Sequence, residues 1–149
     1  MLTNKGKYGL KAMVHLAGLT PGKPALVADI ALANGIPKKF LDAILGELRT
    51  AGLVHSKKGR GGGYVLAKPA AEIRVGEIVR ALDGPLAPIA CASKSYYRRC
   101  EDCQSEAICS VRLMMLEVRE AIARVLDYHS LADMRSLGEV DEASLMYHI

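Results

Sequence analysis

Residues 37–66, Pro-Lys-Lys-Phe-Leu-Asp-Ala-Ile-Leu-Gly-Glu-Leu-Arg-Thr-Ala-Gly-Leu-Val-His-Ser-Lys-Lys-Gly-Arg-Gly-Gly-Gly-Tyr-Val-Leu, decide the fold. From Pro37 to about Thr50 the apolar residues Phe40, Leu41, Ile44, Leu45 and Leu48 recur three and four apart, which turns one helical face inward. Lys38, Lys39, Asp42 and Ala43 are left facing outward, and Pro37 suits the first turn because its missing N–H has no partner there. Two short strands follow, at 53–57 and 64–67, joined by the basic glycine-rich tip Lys57-Lys58-Gly59-Arg60-Gly61-Gly62-Gly63. Such a tip can lie close to a phosphate backbone, with Lys57, Lys58 and Arg60 supplying positive charge and an arginine or lysine free to enter a minor groove. It is not a nucleotide loop: G-x-x-x-x-G-K-[ST] is absent and no helix opens directly after it.

Working upstream, 26–33 presents Val27, Ile30 and Ala31 on one face, and Asn34-Gly35 supplies a tight turn into the Pro37 helix. That arrangement is a helix-turn-helix, whose second helix meets base edges and phosphates through its N-terminal residues. A first helix over 5–19 carries Tyr8, Leu10, Met13, Val14, Leu16 and Ala17 at helical spacing and is broken by Thr20-Pro21-Gly22-Lys23-Pro24.

Working downstream, 75–82 reads as an amphipathic helix with Val75, Ile78, Val79 and Leu82 inward, stopped by Asp83-Gly84-Pro85 and expected to pack on the first helix. The spacing predicts a long helix over 106–128, where Ile108, Val111, Met115, Val118, Ile122 and Val125 alternate three and four apart. A small head offers too little surface to cover such a seam, so a second copy of the chain is the expected partner. Ser130-Leu131-Ala132-Asp133 has the form of a capping box and opens a short last helix through Leu137. The expected fold is therefore mostly α with a small β-wing. A winged helix-turn-helix spans 1–84, a cysteine-bearing loop 85–105, a dimerisation helix with a short terminal helix 106–137, and an acidic tail, expected to be disordered, 138–149.

Composition narrows the function. The chain has 149 residues, half of them hydrophobic, enough for one core. Residues 1–80 hold 13 Lys/Arg against 5 Asp/Glu, a net +8, whereas 81–149 hold 7 against 11, a net −4. The N-terminal part is the polyanion-binding end. Lys5, Lys7, Lys11 and His15 interrupt the first twenty residues, so no signal peptide is expected, and no apolar run approaches the roughly 18 residues that span a bilayer. A cytoplasmic protein without membrane association or small-molecule substrate is expected. No nucleophile, base and oxyanion set can be assembled and the four histidines are scattered, which argues against an enzyme.

The four cysteines, Cys91, Cys100, Cys103 and Cys109, fall within nineteen residues as C-x8-C-x2-C-x5-C. Cytoplasmic thiols stay reduced, so ligation outranks a disulfide framework. Soft thiolates hold zinc or iron–sulfur clusters. Structural zinc sites favour paired short knuckles, and the irregular outer gaps here suit a cluster better. Two alternatives stay open: a zinc-stabilised module without a sensing role, and a metal-free thiol switch through Cys100 and Cys103.

Several segments together resemble one family: Lys5-Gly6-Lys7-Tyr8, Ala28-Asp29-Ile30-Ala31, Ile36-Pro37-Lys38-Lys39-Phe40-Leu41, Ala51-Gly52-Leu53-Val54, Gly61-Gly62-Gly63-Tyr64-Val65-Leu66 and Ala81-Leu82-Asp83-Gly84-Pro85-Leu86. They are similar to the Rrf-two family of bacterial winged-helix iron–sulfur regulators, the IscR-, NsrR- and RirA-like proteins. The resemblance spans nearly the whole chain. It implies a homodimer, joined through 106–128, that binds a double-stranded DNA operator and holds a 2Fe-2S or 4Fe-4S cluster on Cys91, Cys103 and Cys109. The DNA-binding set is then Lys38, Lys39, Lys57, Lys58, Arg60 and Tyr8. Two departures matter: Arg112 stands where IscR-like members supply a histidine, and Lys7 where NsrR-like members offer an aspartate. The fourth ligand is open between Cys100, which would complete an all-thiolate set, and His15 or a residue of the partner's first helix.

Overall fold

A computed structural model describes residues 2–139. Six helices and one two-stranded antiparallel sheet are arranged in the order α1 (Asn4–Ala17), α2 (Val27–Asn34), α3 (Lys38–Thr50), β1 (Val54–Lys57), β2 (Gly63–Leu66), α4 (Val75–Asp83), α5 (Ser110–Tyr128) and α6 (Leu131–Leu137). Short 3-10 turns stand at Ala70–Glu72 and Ala90–Ala92. The fold is mostly α with a small β-wing, as expected, and the expected tail lies, but for its first two residues, outside the described residues.

The core forms where the apolar stripes of α1, α3 and α4 meet. Met13, Ile30, Leu41, Ile44, Leu45, Leu48, Ile73 and Ile78 are fully buried in it. Each such side chain contributes about 1.5–3 kcal/mol by leaving water. α1 and α4 pack closely because α1 presents glycines to its neighbour: a Cβ on Gly6 would lie 2.3 Å from Asp83 Oδ2, and one on Gly9 would lie 2.0 Å from Leu82 Cδ1. Asp83 also accepts from the amide of Thr3, the residue that caps α1.

Gly35 ends α2 at φ 64°, a left-handed conformation that glycine adopts without a Cβ penalty, and the chain turns there into α3. Phe40, expected inward, is 40% exposed. It lies in the first turn of α3, where its ring meets the edge of Tyr8 at 5.7 Å instead of entering the core. The two strands pair Val54 with Leu66 and Lys57 with Gly63. The wing is pinned at its base by mutual hydrogen bonds between Ala25 and Tyr64, at 3.0 and 2.8 Å.

After α5 the chain returns to the head. The Leu131 amide donates to the Ile73 carbonyl at 2.7 Å, Leu131 is fully buried, and α6 packs on α1. Ser130 and Asp133 form the reciprocal cap expected from their spacing, at 2.9 and 3.1 Å. α5 starts at Ser110 rather than at 106, because Cys109 occupies the N-cap and its sulfur accepts from the Arg112 amide. Ile108 therefore lies before the helix, 78% exposed. Val111, Ile122 and Val125 of the predicted seam, 63%, 36% and 56% exposed, are on the helix and uncovered.

Candidate functional site

Two clusters of candidate residues emerge, one on the wing and α3, the other in the loop between α4 and α5. On the first, Lys38 and Lys39 stand exposed in the opening turn of α3, and Lys38 pairs with Asp42 one turn on at 3.1 Å. An exposed pair of this kind contributes little to stability, so Lys38 gives up little in turning to another anion. Lys57, Lys58 and Arg60 lie exposed along the wing, with the Lys57 ammonium donating to the Gly22 carbonyl at 3.2 Å. Tyr8 is half-buried between Phe40 and the Lys7 ammonium, which sits 5.8 Å from its ring centre. The sequence-predicted basic residues thus occupy the outer surface of the second helix and of the hairpin.

The wing tip depends on two glycines. A Cβ on Gly62 would lie 2.2 Å from the Lys57 carbonyl oxygen. One on Gly63, whose φ is 141°, would lie 2.3 Å from that of Ala25. The turn can close and the hairpin can dock on Ala25 only without side chains there.

In the second cluster all four cysteines are free thiols, Cys91 buried, Cys103 and Cys109 half-buried, Cys100 exposed. Cys91 lies in the 3-10 turn that packs on α5. The Arg98 amide donates to the Ala90 carbonyl at 3.2 Å, laying the stretch before Cys100 alongside Cys91, and the Cys103 amide donates to the Cys100 carbonyl at 3.3 Å. Arg99 donates to the Cys103 carbonyl at 3.1 Å and approaches Glu106 at 3.8 Å. The Cys100 thiol is pushed up from its ordinary value, first by hydrogen bonding with Cys91 and by its charge, then by desolvation, Asp102 and Cys109.

Arg112 joins the two sides of this loop. Its Nε donates to the Cys91 carbonyl at 3.1 Å and its Nη1 to the Glu106 carbonyl at 3.4 Å, while its own amide donates to Cys109 Sγ at 3.5 Å. A guanidinium has no lone pair to offer a metal, so at this position the chain has a clamp and not a ligand. Among the described residues no three His, Cys, Asp or Glu side chains converge as a ready metal cage. The chemistry of the donor set, four soft thiols in one loop with Arg99 and Arg112 bonded inside it, nonetheless fits an iron–sulfur cluster. His15 of the same chain faces α2, its Nδ1 3.2 Å from the Asn34 amide nitrogen.

Sequence reasoning missed two contacts that join α4 and its N-cap to the end of α5. Arg80 of α4 and Asp127 of α5 form a two-pronged ion pair at 2.6 and 2.8 Å, and Arg74 donates to the Tyr128 carbonyl at 2.9 Å. Asp127 is held below the usual carboxylate range by the Arg80 hydrogen bond and then by its charge, against an opposing push from burial. Complementary charge on separate helices was the one available signal, and many such pairs exist on paper.

No helix among the described residues is long and apolar enough to cross a membrane. A family profile described as Rrf2, iron-dependent transcriptional regulator, matches residues 2–136. An rrf2-like HTH-type transcriptional regulator of Rhodobacter capsulatus is 43% identical over 141 residues, 93% of this chain and 94% of the relative. The solved structure of CymR, named the global cysteine regulator of B. subtilis, superposes with a TM-score of 0.76 at 33% identity, covering 95% of this chain and 98% of the other. That of T. potens IscR gives 0.72 at 30%, covering 99% and 96%. These relatives are named as regulators and not as enzymes. With the winged helix, the basic hairpin and the family profile in agreement over nearly the whole chain, this protein is a DNA-binding transcription regulator of the Rrf2 family.

Proposed function

We propose that the chain is a cytoplasmic, homodimeric regulator whose affinity for a double-stranded operator is set by an iron–sulfur cluster. The ligands are Cys91, Cys103 and Cys109, with Cys100 as the fourth. The observation that carries this reading is the gathering of every cysteine of the chain into one loop, tied by Arg112 to the start of α5. The profile's description as iron-dependent and the likeness to an IscR support it. When bound, the cluster supplies a centre whose integrity answers to iron level, nitric oxide or redox state.

Lys38 and Lys39 at the start of α3 meet the major groove, Lys57, Lys58 and Arg60 meet phosphates or the minor groove, and Tyr8 supports α3 through Phe40. The seam, exposed at Val111, Ile122 and Val125 and half-buried at Met115 and Val118, receives the second copy. A change in the order of the cysteine loop moves α5, and the Arg80–Asp127 and Arg74–Tyr128 contacts pass that movement to α4 and on to α1 and α3. Coupling of this kind amounts to about 1–3 kcal/mol, or roughly 5- to 150-fold in operator affinity.

A likeness to the cysteine regulator CymR raises a thiol-based reading. In that reading Cys100 and Cys103 form a reversible disulfide without metal. Native mass spectrometry on protein purified without oxygen decides between them. A dimer carrying iron and inorganic sulfide is the expected result. A dimer with zinc alone, or with neither after iron-replete growth, would overturn the cluster reading and leave the DNA-binding assignment intact.

A further inference from the structure

We propose that Arg112 is the positioning residue of the cysteine loop, holding the turn that carries Cys91 and the segment that carries Cys109 at the separation at which an iron–sulfur cluster is received. The inference rests on the cluster reading but adds a role for a side chain that cannot itself be a ligand.

The geometry is specific to an arginine. Two nitrogens of one planar fork reach two carbonyls from different parts of the loop, Cys91 through Nε and Glu106 through Nη1. Cys91 and Glu106 are separated by the whole excursion that contains Cys100 and Cys103; the other ties between their segments run in relay, from Ala90 to the Arg98 amide and from Tyr97 and Arg99 to Glu106, whereas Arg112 spans both in one side chain. The same residue places its amide 3.5 Å from the sulfur of Cys109, making Arg112 part of the helix cap that orients that thiol. Arg112 is half-buried and is rooted in the first turn of α5, a rigid element, whereas the loop itself has three residues of 3-10 turn and isolated backbone bonds for support. A lysine has the charge but only one nitrogen, and it cannot bridge both carbonyls in the fixed directions of a guanidinium. Bonded to the Cys91 carbonyl, the guanidinium would also offset negative charge on ligated thiolates.

The test compares wild type with Arg112→Ala and Arg112→Lys in the full-length protein, with far-UV circular dichroism confirming that each is folded. In metal-free protein, the rate at which iodoacetamide alkylates buried Cys91, read by peptide mass spectrometry, should rise about tenfold in Arg112→Ala, as expected for losing hydrogen bonds from a charged donor. Arg112→Lys should restore little of that protection. In protein purified without oxygen, both variants should show fewer iron and sulfide atoms per dimer and a changed visible circular dichroism pattern from the cluster that remains. Should Arg112→Ala fail to fold, Arg112→Lys decides. Unchanged Cys91 protection, or lost protection with cluster content and spectrum as in wild type, would overturn the positioning role. Wild type devoid of iron and sulfide would sink the cluster reading separately, while the alkylation result would still report whether the clamp exists.

Discussion

At the scale of single residues, the wing shows most directly how composition becomes geometry. Gly62 and Gly63 let the hairpin close on the Lys57 carbonyl and dock against Ala25, and this holds Lys58 and Arg60 out in solvent. Those two charges are worth little to the folded chain and a great deal to a polyanion, because each phosphate neutralised on duplex DNA releases condensed counterions. Replacing both with alanine should leave the melting temperature unchanged and lower the slope of log affinity against log salt by about 1.8, at roughly 0.9 per contact. Operator titrations at four or more salt concentrations measure this, and an unchanged slope would remove the wing from the interface.

At the scale of elements, the junction between α4 and α5 joins the head to the long helix. A Cβ on Gly76 would lie 2.0 Å from Asp127 Oδ1, so α4 leaves room for the carboxylate that Arg80 grips. Asp127 and Asp133 both titrate below the usual carboxylate range, the first through Arg80 and the second through the backbone and hydroxyl of Ser130. In acid the unfolded chain binds protons on these groups before the native chain does. Their contribution is complete above an unfolded value of about 3.9 and is lost as pH falls through the lower native values. Urea midpoints measured from pH 6 down to pH 2.5 should therefore fall less steeply in Asp127→Asn than in wild type, with the variant already less stable by at most about 1 kcal/mol at neutral pH, since both partners are over two-fifths exposed. Parallel curves would mean that the ion pair does not persist in solution.

At the scale of the whole molecule, net positive charge and the long apolar seam fall on different parts of the chain. The net +8 of residues 1–80 gathers on the winged helix, and the uncovered apolar seam gathers on α5. That division suits a dimer with two outward-facing DNA heads, which reads a twofold operator. Val111→Glu combined with Val125→Glu alters two side chains already exposed in the single chain, so the fold should be retained. Burying those charges between copies should weaken the dimer about a hundredfold or more, roughly 3 kcal/mol, and loosen operator binding with it. Sedimentation equilibrium at micromolar concentration measures the first effect, and a dimer as tight as wild type would place the interface elsewhere.

The sequence by itself determined the elements that depend on neighbours along the chain. Periodicity marked α1, α3, α4 and the seam of α5. Asn34-Gly35 marked the turn, Ser130 and Asp133 the cap, and the glycine-rich basic tip the wing, because each is set by contacts within a few residues. The grouping of the cysteines was legible in the same way, from spacing alone. Only the tertiary structure decided what meets across long separations: Phe40 against Tyr8, Leu131 returning to the head core, Arg80 on Asp127, and Arg112 across the cysteine loop. A guanidinium three residues past a cysteine reads as one more surface charge until the chain folds, since its partners are backbone carbonyls that every residue carries. Which carbonyls come within its reach is a property of the packed helix and loop, and no local pattern encodes it.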